Sequence, residues 1–385
     1  MEDLHDKTQG AAVFDVAEFL SQLIRVPSCD PPGGELEVAR LVHQALLSLG
    51  IGAELDEFQP GRANVLGRIR GAGRRKAMVF SSHMDTLPPG ATGWSRDPFS
   101  GLIEGGRVHG RGASDMKSAL ACMVAAAGEI AASGTPLEGD LVLAFTAGES
   151  NDLLGARRFA AQGLKDEIGA FLCGEPSDLD IIVVEKAVLW LRLSARGRIG
   201  HVSGEGGANA IHALMAGLER LKTFTFDLPA HPLLDGPTLS LNRIQGGSAN
   251  NMTPEYCEAV VDIRLPPGVP ADVILDRLAA HLGEGIALEV IDFKPAVEER
   301  ADSPFVALCA RICEEERGER PKILGVSYYS DGAVLMDGVE APFAIIGPGH
   351  LGASGTADES VPVENLHCAV AICRRIALAW LGSGA

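Results

Sequence analysis

Two different periods of apolar and polar residues run through the chain. Apolar positions fall at helical spacing over 13–24 and stop before Val26-Pro27. The turn Pro31-Pro32-Gly33-Gly34 then precedes a second helical run over 36–49. Strand patterns follow at 51–58 and 64–69, and short continuous apolar runs at 77–80, 141–145 and 170–173 read as buried strands. A long Ala-rich helix is predicted after Lys117. From about Ala187 the texture changes to strand 188–195, helix 208–221, strands 238–244 and 259–264, helix 271–282 and strand 286–293. That β-α-β-β-α-β order is the ferredoxin-like split unit. After Pro295 come a helix over 305–315, a strand over 343–346 and a closing helix over 363–381. The pattern predicts an α/β chain: a domain of residues 1–186 and 296–385 around a mixed sheet, with an inserted ferredoxin-like α+β domain at 187–295.

Length and charge narrow this picture. At 385 residues the chain exceeds one ordinary core, so two domains are expected. A formal charge of −18 argues against nucleic acid or an anionic membrane surface as partner, leaving a small molecule as the expected ligand. The opening residues Met1 to Asp6 lack a basic and an apolar region, and no apolar run is long enough to span a membrane. The eight cysteines are scattered and form no CxxC pair, which suits free thiols in a reducing cytoplasm.

The chemistry collects at strand ends. The run 77–80 leads into His83 and Asp85, so the strand delivers both to its C-terminal end, where open α/β sheets place their sites. An imidazole can ligate a metal, and a carboxylate two residues on can orient it. Asp115 follows Gly110-Arg111-Gly112 just before the Ala-rich helix, where an isolated Asp would ordinarily cap the helix. The strands at 141–145 and 170–173 end in Glu149 and Glu175. Successive strands thus deliver four ionisable groups, Asp115 one loop removed, and solvated carboxylates do not collect this way by chance, so a metal site is expected.

These motifs together resemble the metal-dependent acylase and exopeptidase family that includes acetylornithine deacetylase, succinyl-diaminopimelate desuccinylase, aminoacylase and carboxypeptidase G. The family's HxDxxP pattern matches His83, Asp85 and Pro88, and GRGxxDMK matches Gly110 to Lys117. TAGEE matches Thr146 to Ser150, and GEPS matches Gly174 to Ser177. The resemblance implies His83, Asp115 and Glu175 as metal ligands, Glu149 as general base and Asp85 as a supporting catalytic residue. It also implies a dimerising lid in the inserted domain, with His201 reaching the active site of a partner subunit. Asn251 and Arg264 fall on substrate-facing positions, although a salt bridge from Arg264 to Asp262 or Glu258 is the plain alternative. Asp331 lies in a family segment near the site without a role assigned by the motif.

Two departures stand beside these matches. The residue after the base, a second glutamate in the family, is Ser150. The last ligand, a histidine in GPGxxxxAHxxDE, is replaced by Gly355. Both private ligands of one metal are missing while all three of the other remain, which favours one divalent ion per chain, zinc, manganese or cobalt. His350, Asp152, Tyr328 and Tyr329 are candidates to enter the vacated space. The expected function is hydrolysis of a C–N bond in a small carboxylated substrate such as an N-acyl amino acid. Release of ammonia from an electron-poor aromatic amine, and an inactive homologue that only binds a ligand, are the alternatives.

Overall fold

The computed structural model describes residues 14–204 and 207–382. The expected helix start at Val13 and the acidic opening Met1 to Asp6 lie outside the described residues.

The core is a mixed nine-stranded sheet. Its strands run in the order Gly52–Gln59, Arg62–Ile69, Leu141–Thr146, Ala77–His83, Ile168–Cys173, Phe343–Ile345, Ile181–Glu185 and Val297–Glu298, with Ile323–Val326 paired to Ile181–Glu185. The central strands Leu141–Thr146 and Ala77–His83 are parallel and buried along their whole length, and residues 141–145 and 77–80 within them are apolar without alternation. Helices cover both faces. Lys117–Ser133 is buried on nearly all sides and packs against the closing helix Val363–Leu381, which explains why its sequence is so rich in Ala.

The strand expected to end at Phe80 continues through His83. Ser81, Ser82 and His83 pair with Ala144, Phe145 and Thr146, so the imidazole sits on the last residue of a buried strand rather than on a loop. Sequence pattern also missed the buried strand Ile181–Glu185, the helix Leu154–Ala161 and the hairpin Leu102–Glu104 with Arg107–His109. Ile181–Glu185 closely follows a loop rich in polar residues.

Residues 187–294 form a second sheet, in the order Thr238–Gly246, Tyr256–Leu265, Ala187–Arg196 and Ile286–Lys294, all antiparallel. Along Tyr256–Leu265 buried positions alternate with half-buried ones, as a sheet covered on one face requires. The helices Ala210–Leu221 and Ala271–Leu282 pack on that covered face through Leu214, Ile274 and Leu278. This is the ferredoxin-like α+β unit expected from the pattern. Thr238–Gly246 and Ile286–Lys294 are its free edges. Among the described residues no helix is long and apolar enough to cross a membrane, and all eight cysteines are free thiols.

Candidate metal centre and active site

Strand register brings the first donor into place. His83 ends its strand beside Thr146, and its Nδ1 lies 2.9 Å from the carbonyl oxygen of Asp85. A carbonyl only accepts, so Nδ1 carries the proton and Nε2 is the free donor atom. The expected role of the Asp85 carboxylate is corrected here. Its nearest oxygen is 3.7 Å from Nδ1. It accepts instead from the backbone N–H groups of Glu149 and Ser150, both at 3.0 Å, and from Ser150 Oγ at 2.6 Å. Those three donors at the start of a short helix outcompete one imidazole for the carboxylate. Asp85 therefore holds the turn that carries Glu149, while its main chain orients His83.

Asp115 is not a helix cap. The helix begins at Lys117 without a side-chain cap, and the Asp115 carboxylate lies 3.0 Å from His83 Nε2. Its loop is wrapped around Glu359, whose carboxylate accepts from the N–H groups of Gly112, Ser114 and Asp115 and pairs with Arg111 Nη1 at 2.5 Å. Both partners of that ion pair are buried. Glu359 is thus a positioning residue; in the sequence it is only the last residue of the segment closing in Asp358-Glu359, with nothing local to name its partner. Glu175 completes the set at 3.6 Å from His83 Nε2. Ligand atoms of His83, Asp115 and Glu175 lie within 4.8 Å of one another. One imidazole nitrogen and two carboxylates fit a divalent ion with room for a further ligand.

Glu149 stands across from this set, its Oε2 4.0 Å from His83 Nε2. It opens the short helix Glu149–Asp152, entered through Gly148 at φ +72°, a left-handed turn where a Cβ would strike Arg62 Nη2 at 2.5 Å. Beneath it, Arg62 is held by Asp30 and Glu35. Burial pushes the Glu149 and Glu175 carboxyls well above the usual range, with the charge of His83 working against it. Burial opposes a charged His83, yet Asp85, Glu175 and Asp115 together lift the imidazole well above its ordinary value. Burial would also raise Asp115, but His83 in its charged, doubly protonated form brings it below the usual value.

The remaining sequence candidates divide clearly. A cavity of roughly 440 Å³ is lined by His83, Asp115, Glu149 and Glu175, and by Ser150, Gly355, Arg264, Tyr328 and Tyr329. Arg264 takes its plain alternative as well. Its Nε and Nη2 donate to the two oxygens of Asp262 at 2.7 and 2.9 Å, and its Nη1 to the Ser327 carbonyl at 3.3 Å. Tyr328 donates to the Pro176 carbonyl at 3.2 Å, and Tyr329 to the Ser150 carbonyl at 3.0 Å. His201 and Asn251 do not line the cavity. They are exposed on neighbouring loops of the smaller sheet, where His201 Nδ1 meets Ser203 Oγ at 2.7 Å and the Asn251 carbonyl accepts from Val202. His350 is also outside, bound through Nδ1 to Asp178 at 2.8 Å, and the exposed Asp152 is not part of the lining either.

Asp331 gains a place. Buried under the strand ends, its Oδ2 accepts from Thr146 Oγ1 at 2.6 Å and Ser81 Oγ at 3.1 Å. It ties together the strands that carry His83 and lead to Glu149, and burial lifts its pKa to about 6.

A His–Asp–Glu donor set facing a buried carboxylate across a cavity defines a metal-dependent hydrolase. Residues 79–379 match the pattern of peptidase family M20/M25/M40, and the chain belongs to that family, whose divalent-metal hydrolases act on C–N bonds. It is 30% identical over 383 residues to a succinyl-diaminopimelate desuccinylase of Paracoccus denitrificans (strain Pd 1222), covering 94% of this chain and 97% of that protein. An acetylornithine deacetylase of Vibrio campbellii (strain ATCC BAA-1116) is 28% identical, covering 90% of this chain and 92% of its own length. In fold, the chain is similar to an M20 family metallo-carboxypeptidase of Sulfolobus solfataricus, with a TM-score of 0.77 at 17% identity, covering 94% and 98% of the two chains.

Proposed function

We propose that the chain hydrolyses the amide bond of a small N-acyl amino acid with one divalent ion, zinc, manganese or cobalt, held by His83, Asp115 and Glu175. The observation that carries this reading is the Glu149 carboxylate, 4.0 Å from His83 Nε2 on the wall of the same cavity. A divalent ion bound by the three donors supplies Lewis acidity and favours ionisation of water at neutral pH. Glu149 takes the proton from the attacking water at its carboxylate and returns it to the leaving nitrogen. Asp85 keeps the Glu149 turn in register through the two N–H groups it accepts from. Arg264 has five N–H groups, of which three are committed to Asp262 and Ser327. The remaining pair, one on each terminal nitrogen, suits a substrate carboxylate.

His201 and Asn251 enter through assembly. The free sheet edges of residues 187–294 suit pairing of two copies about a two-fold axis. In that homodimer His201 is assigned to the partner subunit's site, as a donor to the developing oxyanion. Eight free thiols suit a reducing, cytoplasmic setting.

The test is amine release from a panel of N-acyl amino acids by the metal-loaded enzyme. Turnover lost in the Glu149→Gln variant supports the reading, whereas full turnover in that variant removes Glu149 from the reaction. Hybrids of His201→Ala and Glu149→Ala chains regain partial activity if the site is shared. Absence of recovery after demonstrated subunit exchange rejects the sharing.

A further inference from the structure

We propose that the acyl group accepted by this cavity is bulky, uncharged and apolar, on the scale of a benzoyl ring; this rests on the amide-hydrolase reading above. The cavity's roughly 440 Å³ falls within the range of about 300–1,000 Å³ common for small-molecule sites. Away from the ligand and base side chains its walls include Leu87, Val326, Leu351 and the two tyrosines. Both tyrosine rings are pinned through their hydroxyls, Tyr328 to the Pro176 carbonyl and Tyr329 to the Ser150 carbonyl. Arg264 and Lys294 lie over the Tyr329 ring at 5.7 and 4.8 Å. The aromatic walls are therefore held in place, with their hydroxyl protons already used.

The charges around the cavity point the same way. Among the described lining residues the cations of permanent charge are Arg111 and Arg264. Arg111 is buried and committed to Glu359 at 2.5 Å and to the Gly355 carbonyl at 3.2 Å. Arg264 is offset by Asp262, and its two uncommitted N–H groups match the single carboxylate of an amino-acid product. A second anionic group, such as a succinyl carboxylate, would lie against apolar walls without a free cation. A second ammonium would face only carboxylates already engaged: Asp115 and Glu175 with the ion, Glu149 as base and Glu359 with Arg111. Either charge loses hydration without gaining a partner. An apolar ring meets no such cost, and apolar pockets discriminate by about 10–200-fold for a change of one methylene.

Gly355 adds space to this wall. A Cβ there would come within 3.2 Å of Leu87 Cδ1. Glycine leaves that volume to the ligand where a longer side chain would project.

The experiment compares N-acetyl-, N-succinyl- and N-benzoyl-alanine as substrates of the metal-loaded enzyme. In parallel, calorimetry measures N-benzoyl- and N-succinyl-alanine binding to the metal-loaded Glu149→Gln variant. The expected kcat/KM for the benzoyl compound exceeds that for the succinyl compound by at least about 30-fold, with binding at least about 10-fold tighter. Leu351→Lys places a cation at a half-buried wall position and is expected to lower the benzoyl-to-succinyl ratio by at least about 10-fold. Because the readout is a ratio within one variant, a partial loss of folded protein cancels. If acetyl or succinyl compounds are cleaved as well as the benzoyl compound or better, the apolar-pocket inference is overturned and the amide-hydrolase reading stands. If no amide is cleaved, the hydrolase reading falls and calorimetry alone decides. Tighter benzoyl binding then supports the apolar pocket, and equal or tighter succinyl binding overturns it.

Discussion

The two halves of the cavity differ in what happened to their donor positions. On one side His83, Asp115 and Glu175 converge, two of them with a visible support: the Asp85 carbonyl for His83 and the Glu359 carboxylate for the Asp115 loop. On the other side Ser150 and Gly355 stand where the family pattern has a glutamate and a histidine. These positions are not merely shortened. Ser150 Oγ is turned onto the Asp85 carboxylate at 2.6 Å, and Gly355 sits at φ +72° with its carbonyl bound by Arg111. Ser150 and Gly355 are thus tied into the scaffold that supports the first half.

The sharpest way to break this comparison is to remove members of the intact half. His83→Ala and Glu175→Ala are each expected to abolish metal retention and turnover together, checked by elemental analysis and an amidase assay. Glu149→Gln is expected to keep its metal and lose about 10²–10⁴-fold in kcat. Loss of metal in that variant would place Glu149 among the ligands. The next largest effect concerns the other half. Ser150→Glu with Gly355→His is expected to bind no second ion. It breaks the Ser150–Asp85 hydrogen bond and forces a side chain into a left-handed backbone position, at a cost of about 1–2 kcal/mol for the backbone alone. Denaturant titration checks the lost stability, and equilibrium dialysis against the metal checks the stoichiometry. A second tight ion would show that the half-site was only trimmed.

Much of this was legible in the chain. Buried parallel strands give continuous apolar runs, so 141–145 and 170–173 stood out and pointed to Glu149 and Glu175. The alternation of the smaller sheet and its two amphipathic helices exposed the ferredoxin-like unit. What sequence pattern could not supply was the partner of each charged group. Asp85 reads as a support for His83 because it is two residues away, but three donors from a turn 64 and 65 residues distant claim its carboxylate. Glu359 acts across 244 residues on the Asp115 N–H, a pairing that no local period encodes. Asp331 is similar: its contacts to Ser81 and Thr146 exist only once the two strands lie side by side.

Smaller effects sharpen the account of what lies beneath the site. Glu185 is buried next to the Ser330-Asp331 turn, and burial pushes its pKa up to about 8 against the lowering influence of Ser330. Its folded pKa lies above the unfolded value, so the folded chain holds the proton more tightly and stability falls as pH rises from about 4.5 towards 8. Glu185→Gln is expected to remove that part of the pH dependence, on the order of several kcal/mol between pH 5 and 9. Denaturant unfolding of parent and variant at both pH values measures it, and equal slopes would place an ionised Glu185 in the fold. Tyr329→Phe releases the Ser150 carbonyl from its hydroxyl donor. The expected cost is about 0.5–1.5 kcal/mol of stability, with a several-fold fall in kcat and unchanged metal content.

The comparison rests finally on a count. Protein loaded with excess zinc or manganese and then dialysed exhaustively should retain one ion per chain, measured by elemental analysis against protein concentration and repeated on Glu175→Ala, which should retain none. Two ions per chain in the parent would contradict the account, because Ser150 and Gly355 would then belong to a working second site.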